Sequence, residues 1–226
     1  METLAEDLLL ISLDDDRGKV SWRHSAAVHY GLAAAFLMDL ALLRRIETPG
    51  ENIVVSDPTP LQDDLLDAVV ARINSSEKER DAKHWVKTLG DESDCQQRLA
   101  RRLVARGILR EEEQTLFWAF HDQRYPTVMT EPESTLRERL QGVVLRGDEP
   151  EPRTLLLLSL VSACGLIDEI FAPAERRDAK RRIKVLVEDE QFGKSVGAAL
   201  AVVAAATAAV AATTAFTTVI APGSSH

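Results

Sequence analysis

RTLLLLSLVSACGLIDEIFAPAERRDAKRRI, residues 153–183, sets an almost uncharged run against an FAP break and a strongly basic segment. Between Thr154 and Phe171, Leu155, Leu156, Leu157, Leu158, Leu160, Val161, Leu166, Ile167 and Ile170 leave no continuous polar face. The spacing therefore predicts a helix buried on all sides. The run is short for a bilayer span and carries Asp168 and Glu169 near its end, so it belongs inside a helical domain. Pro173 suits the first turn of a following helix, where a missing N–H costs nothing. Along that helix Ala179, Ile183 and Leu186 recur as a packing stripe. Arg176, Arg177, Lys180, Arg181, Arg182 and Lys184 fill most of the rest, as a solvated face or one that meets an anion.

Ser25–Leu43 is a second run apolar on nearly every face, with Asp39 as its one acid. Two such runs imply central helices wrapped by others. Outward from them, Glu6–Leu13 reads as a short helix or strand that ends at the turn cluster Asp14–Gly18. Those acids lack the ligand alternation of a calcium loop. Thr48–Pro60 reads as a long surface connection around a β-like Ile53–Val55, and Leu61–Ile73 as an amphipathic helix. Ser75–Glu92 is charged surface with Trp85, Val86 and Leu89 as packing contacts. Gln96–Leu109 reads as a helix closed by Gly107, with Leu99, Leu103 and Val104 inward and Arg98, Arg101, Arg102 and Arg106 outward. The apolar TLFWAF and then YPTVM, joined by His121–Arg124, suggest a β-hairpin at about 115–129. Ser134–Val144 is a further helix. The Ala, Val and Thr run 196–220 reads as a last core helix fraying into a tail.

At 226 residues the chain has room for one large domain, taken as 1–210, with 211–226 as an Ala/Thr-rich tail. Its net charge of −9 opposes general attraction to nucleic acid or membrane, but its cations cluster locally, and association follows the local field. Cys95 and Cys164 have no metal-type spacing, which fits a reducing cytosol. No basic segment precedes the first apolar run, so the start does not read as a signal peptide.

The words LLLISLDDDRGKVS (8–21), GLAAAFLMDLALLRRI (31–46), DPTP (57–60) with LLDAVV (65–70), RLVARGIL (102–109) and RTLLLLSL with FAPAERRDAKRRI come in an order that resembles the Golgi phosphoprotein 3 family. The alanine-rich end looks like its bacterial, actinobacterial-type branch. The resemblance implies a mainly α fold: a central helical bundle ringed by amphipathic helices, with one projecting β-hairpin. It also implies a cytoplasmic, peripherally membrane-associated adaptor that binds an anionic phospholipid, phosphatidylinositol 4-phosphate or a similar phosphorylated head group, and holds client membrane proteins. In the family a Trp and an Arg at the first central helix, and two basic residues three apart before the RL-type helix, contact the head group. Aligned through Gly31 and Gly107, these positions fall on His24, Ala33, Ser93 and Gln96. A compensating head-group set is Arg23, His24, Arg98, Arg101 and Arg102, with Trp22 at the lipid interface. Replacing the three α-helical arginines by Glu is expected to abolish liposome association without unfolding the domain. By the same resemblance the apolar hairpin residues Leu116, Phe117, Trp118 and Phe120 are the candidate membrane or homo-oligomer contact, the alternative being that one face of the ribbon covers the bundle.

Nothing in the chain carries catalytic spacing. P-loop, dinucleotide glycine, GxSxG and HExxH motifs are missing, and His24, His29, His84, His121 and His226 are scattered. The expectation is a binding protein without a cofactor or metal. A winged-helix DNA-binding module, or one that only binds protein, is the alternative. Three glutamates after Arg110 weigh against phosphate contact, and nucleic acid is not an expected partner.

Overall fold

Thr3 and Glu6 cap one another: Thr3 Oγ1 accepts from Glu6 N and Glu6 Oε2 accepts from Thr3 N, both at 3.2 Å. This capping box starts helix α1, Leu4–Ser12, in the computed structural model, which describes residues 3–92, 94–116, 120–188 and 202. Every residue of α1 is buried, so it is a central element and begins two residues earlier than the sequence suggests. Helix α2, Ser25–Leu42, is apolar and long enough to cross a membrane, but 67% of it is buried within the fold, as in a core helix.

Strands β1 (Ile46–Glu47) and β2 (Asn52–Val55), then helix α3 (Asp64–Asn74) and strand β3 (Arg80–Asp81), follow. The three strands form a small antiparallel sheet in the order β1-β2-β3, which corrects the reading of 48–60 as connection alone. Helix α4 is Ala82–Gly90 and helix α5 is Cys95–Ala105. Strands β4 (Glu112–Leu116) and β5 (Phe120–Arg124) make the hairpin. Its ladder pairs Glu112 with Arg124 and Leu116 with Phe120, so His121–Arg124 is strand rather than turn. The charged Glu112 and Glu113 are the first rungs. Helix α6, Glu131–Gln141, continues into one π-helical turn, Gly142–Arg146. Helices α7 (Pro152–Ala163), α8 (Ile167–Ile170) and α9 (Arg176–Val187) complete the described chain.

The run 154–171 is thus two helices, not one. Gly165 takes φ +73°, Leu166 N bonds Val161 O at 2.9 Å and Gly165 N bonds Ser162 O at 3.2 Å, the pattern of a Schellman stop. The reversal keeps the leucines of α7 and the apolar residues of α8 in one core. Pro173 lies in the turn before α9 rather than in its first turn, and Glu175 is the N-cap residue.

Buried apolar side chains from Leu4 to Val202 form one continuous cluster. Helices α1, α2 and α7 pack on each other at its centre, and α3, α4, α5, α6 and α9 surround them, the mainly α architecture expected. The 196–220 run otherwise lies outside the described residues, as does 211–226.

At Gly31, α2 passes close to Cys164, the residue that ends α7. A Cβ there would stand 2.4 Å from Cys164 Sγ and 3.1 Å from Leu8 Cδ2. Gly31→Ala is expected to destabilise the fold by about 1–3 kcal/mol through overpacking. In a Cys164→Ala background the sulfur is gone, and the added methyl should recover most of that loss. Urea denaturation of the four proteins in this cycle measures the coupling; additive effects would contradict the contact.

Candidate functional site

The loop Gly18–Val20, the first turns of α2 and α5 and the end of β5 enclose a cleft of about 250 Å³. Ser25 and His29 reach it from α2, Gln96 and Gln97 from α5, and Gln123 and Tyr125 from the hairpin. Both helices end there without a side-chain cap: His24 at α2 and Asp94 at α5 make no capping hydrogen bond. Unbonded first-turn amides carry roughly half a positive charge per helix end. Two such ends, with the Lys19 ammonium on the adjoining loop, favour an anion over a cation or an apolar ligand. His29 Nε2 and Gln96 Oε1 lie 3.1 Å apart, the ring nitrogen donating, and this bond ties the two helix starts together. Tyr125 OH lies 3.3 Å from Glu111 Oε1 and from Gln123 Oε1. Burial pushes the Tyr125 phenol up, and the Glu111 carboxylate adds to it, so it remains a neutral donor at the cleft wall.

Trp22, Arg23 and His24 form the turn that leads into α2, next in sequence to the cleft residue Ser25. Trp22 is 82% exposed, and the Arg23 guanidinium lies 5.8 Å from its ring centroid. So large an exposed aromatic is unusual on a surface that meets only water. His24 Nδ1 is 3.9 Å from Glu169 Oε1 on α8.

Arg98 and Arg102 of α5 are engaged at the start of α3, while Arg101 stands beside Glu111 and Tyr125 at the hairpin root. Arg102 donates to Asp63 Oδ2 at 2.7 Å and to Asp63 Oδ1 at 2.9 Å, and Arg98 donates to Asp64 Oδ2 at 3.0 Å. Arg101 Nε is 3.6 Å from Glu111 Oε1. Asp63 caps α3 by accepting from Leu65 N and Leu66 N at 3.1 Å. Burial works against the Asp63 carboxylate, but the Arg102 hydrogen bonds and the cap amides outweigh it and hold its pKa below the usual range. Arg98 and Arg102 thus join α5 to α3, and their replacement by Glu would place new acids against Asp63 and Asp64. Such a variant would break the fold's contacts as well as any site, contrary to the expectation of an undisturbed domain.

Of the aligned family positions, His24 is the N-cap residue of α2 and Gln96 lines the cleft, whereas Ala33 is 2% exposed inside the core and cannot present a group to a ligand. Ser93, Phe117 and Trp118 lie outside the described residues. Leu116 and Phe120 are paired across the ladder next to the 117–119 connection. The sequence reading missed Lys19, Ser25, His29 and Gln97. Ser25 and Gln97 act through backbone position, which residue type does not announce. A second cleft of about 230 Å³ lies between α1, α5 and α6, but its cations are already matched: Arg106 Nη1 is 3.0 Å from Glu6 Oε2, and Arg139 Nη2 is 3.8 Å from Asp7 Oδ2. Among the described residues no group of His, Cys, Asp and Glu is placed to hold a metal.

Comparison with known proteins adds two findings. The model of the family described as Golgi phosphoprotein 3 matches residues 4–212. The vacuolar protein sorting-associated protein 74 of Eremothecium gossypii is 25% identical over 230 positions, which cover 84% of this chain and 69% of that protein.

Proposed function

The chain belongs to the Golgi phosphoprotein 3 family, and from that premise we propose that it is a peripheral membrane adaptor which takes the phosphorylated head group of an anionic lipid into the cleft between α2 and α5. The observation that carries this is the convergence of two helix N-termini, neither capped by a side chain, on one open cleft. Trp22, exposed in the turn that leads into α2, suits the bilayer interface, where an amphipathic ring is favoured. Phosphatidylinositol 4-phosphate is one candidate. The cleft's donors are mostly amides and a phenol, so the charge selects a phosphate while shape selects the group that carries it. We place the chain in the bacterial branch on its alanine-rich end, and read 1–210 as one domain. Partner binding, to client membrane proteins or through the hairpin to a second copy, is the output; no catalysis is assigned. A DNA-reading α5 is disfavoured, because Arg98 and Arg102 are engaged by Asp63 and Asp64.

Adding an acid at the two helix starts tests this without weakening the fold. Ser25→Glu and Gln97→Glu each place a carboxylate where it stabilises the helix by about 0.3–1 kcal/mol. In the cleft the same charges repel phosphate. The double variant is expected to melt at or above the wild-type temperature, yet to bind vesicles containing phosphatidylinositol 4-phosphate or phosphatidylglycerol roughly tenfold more weakly or worse. Flotation against phosphatidylcholine vesicles supplies the neutral control. Equal binding by wild type and variant removes the cleft as the head-group site.

A further inference from the structure

Helix α9 carries six cations and one acid, in a chain of net charge −9. At 100° per residue, Arg177, Lys180, Arg181, Lys184 and Glu188 fall within roughly a 100° arc, opposite the buried Ala179 and Ile183. The cations of this stripe are not used by the fold. Arg181 pairs with Asp178 at 3.1 Å and Lys184 with Glu188 at 3.9 Å, both partners being neighbours along the same chain segment. Arg177 and Lys180 pair with no acid among the described residues. The contrast with α5 is direct, since there Asp63, Asp64 and Glu111 from other elements take the arginines. Val185, 66% exposed, flanks the stripe, an apolar residue among cations as on helices that lie along a bilayer surface. In 189–226 the acids are Asp189 and Glu190 alone, too few to neutralise the stripe.

The start of α9 also lies near the turn that leads into α2. Arg176, at the start of α9, pairs with Asp168 on α8 at 3.4 Å, and the next residue of α8, Glu169, faces His24. We infer that the outer face of α9 is a second membrane contact, which lies on the head-group layer of an anionic bilayer while the cleft holds one lipid. It rests on the membrane-docking function proposed above, and adds to it an electrostatic surface that is indifferent to head-group identity. Each cation near such a surface contributes through the surface potential, and the contribution is screened by salt.

The test uses the full chain and vesicles of equimolar phosphatidylcholine and phosphatidylglycerol. Replacing Arg177, Lys180, Arg181 and Lys184 together by Gln is expected to weaken vesicle binding roughly tenfold or more and to flatten its salt dependence. The melting temperature should not change, because the four side chains are exposed. Arg177→Lys with Arg181→Lys keeps the charge and should bind as wild type does. If wild type binds and the Gln variant binds equally well, the α9 contact is overturned while the cleft stands. If wild type binds neither these vesicles nor ones with phosphatidylinositol 4-phosphate, the membrane function fails and this contact with it. Loss of self-association in the Gln variant, with vesicle binding intact, would make the face a protein interface and overturn the inference.

Discussion

Arg153→Met is expected to destabilise the protein by about 3–5 kcal/mol near neutral pH, because it leaves the buried Asp39 carboxylate without its counter-charge and takes from Asp7 the nearer of its two arginines. Arg153 Nη2 donates to Asp7 Oδ2 at 2.9 Å and Nη1 to Asp39 Oδ1 at 3.2 Å, so one guanidinium from the first turn of α7 joins α1 and α2. Leu4 N donates to Asp39 Oδ2 at 2.8 Å, which makes Asp39 part of the start of α1 as well. Asp39 is 3% exposed, and burial pushes its carboxyl up to about 7 even against the Arg153 charge. The sign of the pH effect follows. Between the unfolded value near 4 and the folded value near 7, the native state binds more protons than the unfolded chain, so this group makes stability fall as pH rises. Burial raises Glu133 to about 7 also, and with the same sign. Asp63 and Asp64 are lowered, so their favourable contributions disappear only under more acid conditions. Urea denaturation at about pH 5.5 and pH 8 should therefore show wild type losing stability toward the higher pH. Arg153→Met should steepen that loss, and Asp39→Asn should remove the Asp39 share of it and leave that of Glu133. A pH-independent effect of Arg153→Met would mean that the guanidinium acts by packing alone.

This cluster also marks the limit of what a linear sequence discloses. The leucine-rich run and the Ser25–Leu43 run announce central helices, since no polar face is left for water, and the stripes on α3, α4 and α9 identify their buried sides. Asp39 is visible as the one acid in an apolar helix, but its partner stands 114 positions away. The same holds for Arg102 and Asp63, 39 positions apart: by helical spacing the arginine points outward, and what lies outward is another helix's cap. The β1-β2-β3 sheet escapes the pattern because strands of two to four residues have too few alternations to register a period. The cleft is harder still. Its anion preference comes from where two helices begin relative to one another, and an Asp at position 94 looks like a cap although its side chain makes no capping bond. Family resemblance points to Gln96 at this place but also to Ala33, which the core has absorbed.

Gly18→Ala is the other substitution expected to have a large effect, because the smallest possible side chain has nowhere to go. Gly18 has φ +61°, and a Cβ built on it would stand 2.2 Å from Pro126 N, 2.3 Å from Tyr125 C and 2.4 Å from Tyr125 N. All three are backbone atoms at the root of the hairpin, so no rotamer change relieves the clash. The approach is held by Tyr125 N, which donates to Gly18 O at 2.9 Å, and by Thr127 N, which donates to Asp15 O at 3.1 Å. A left-handed alanine costs about 1–2 kcal/mol, and overpacking against rigid neighbours adds about 1–3 kcal/mol. Together they give about 3 kcal/mol, or roughly 6–12 °C in Tm for a chain of this size. Gly107→Ala is the control: Gly107 has φ +74° with nothing within 4 Å of an added Cβ, so only the backbone contribution applies. The difference between the two variants isolates the contact between loop and hairpin. If the hairpin root yields instead of the whole fold, the loss appears as faster hydrogen exchange at Tyr125 and Thr127 with little change in Tm. In either case Gly18 and Tyr125 part, the cleft between them opens, and vesicle binding should fall in Gly18→Ala but not in Gly107→Ala. Equal stability, exchange and vesicle binding in the two alanine variants would show that the hairpin root does not depend on this approach.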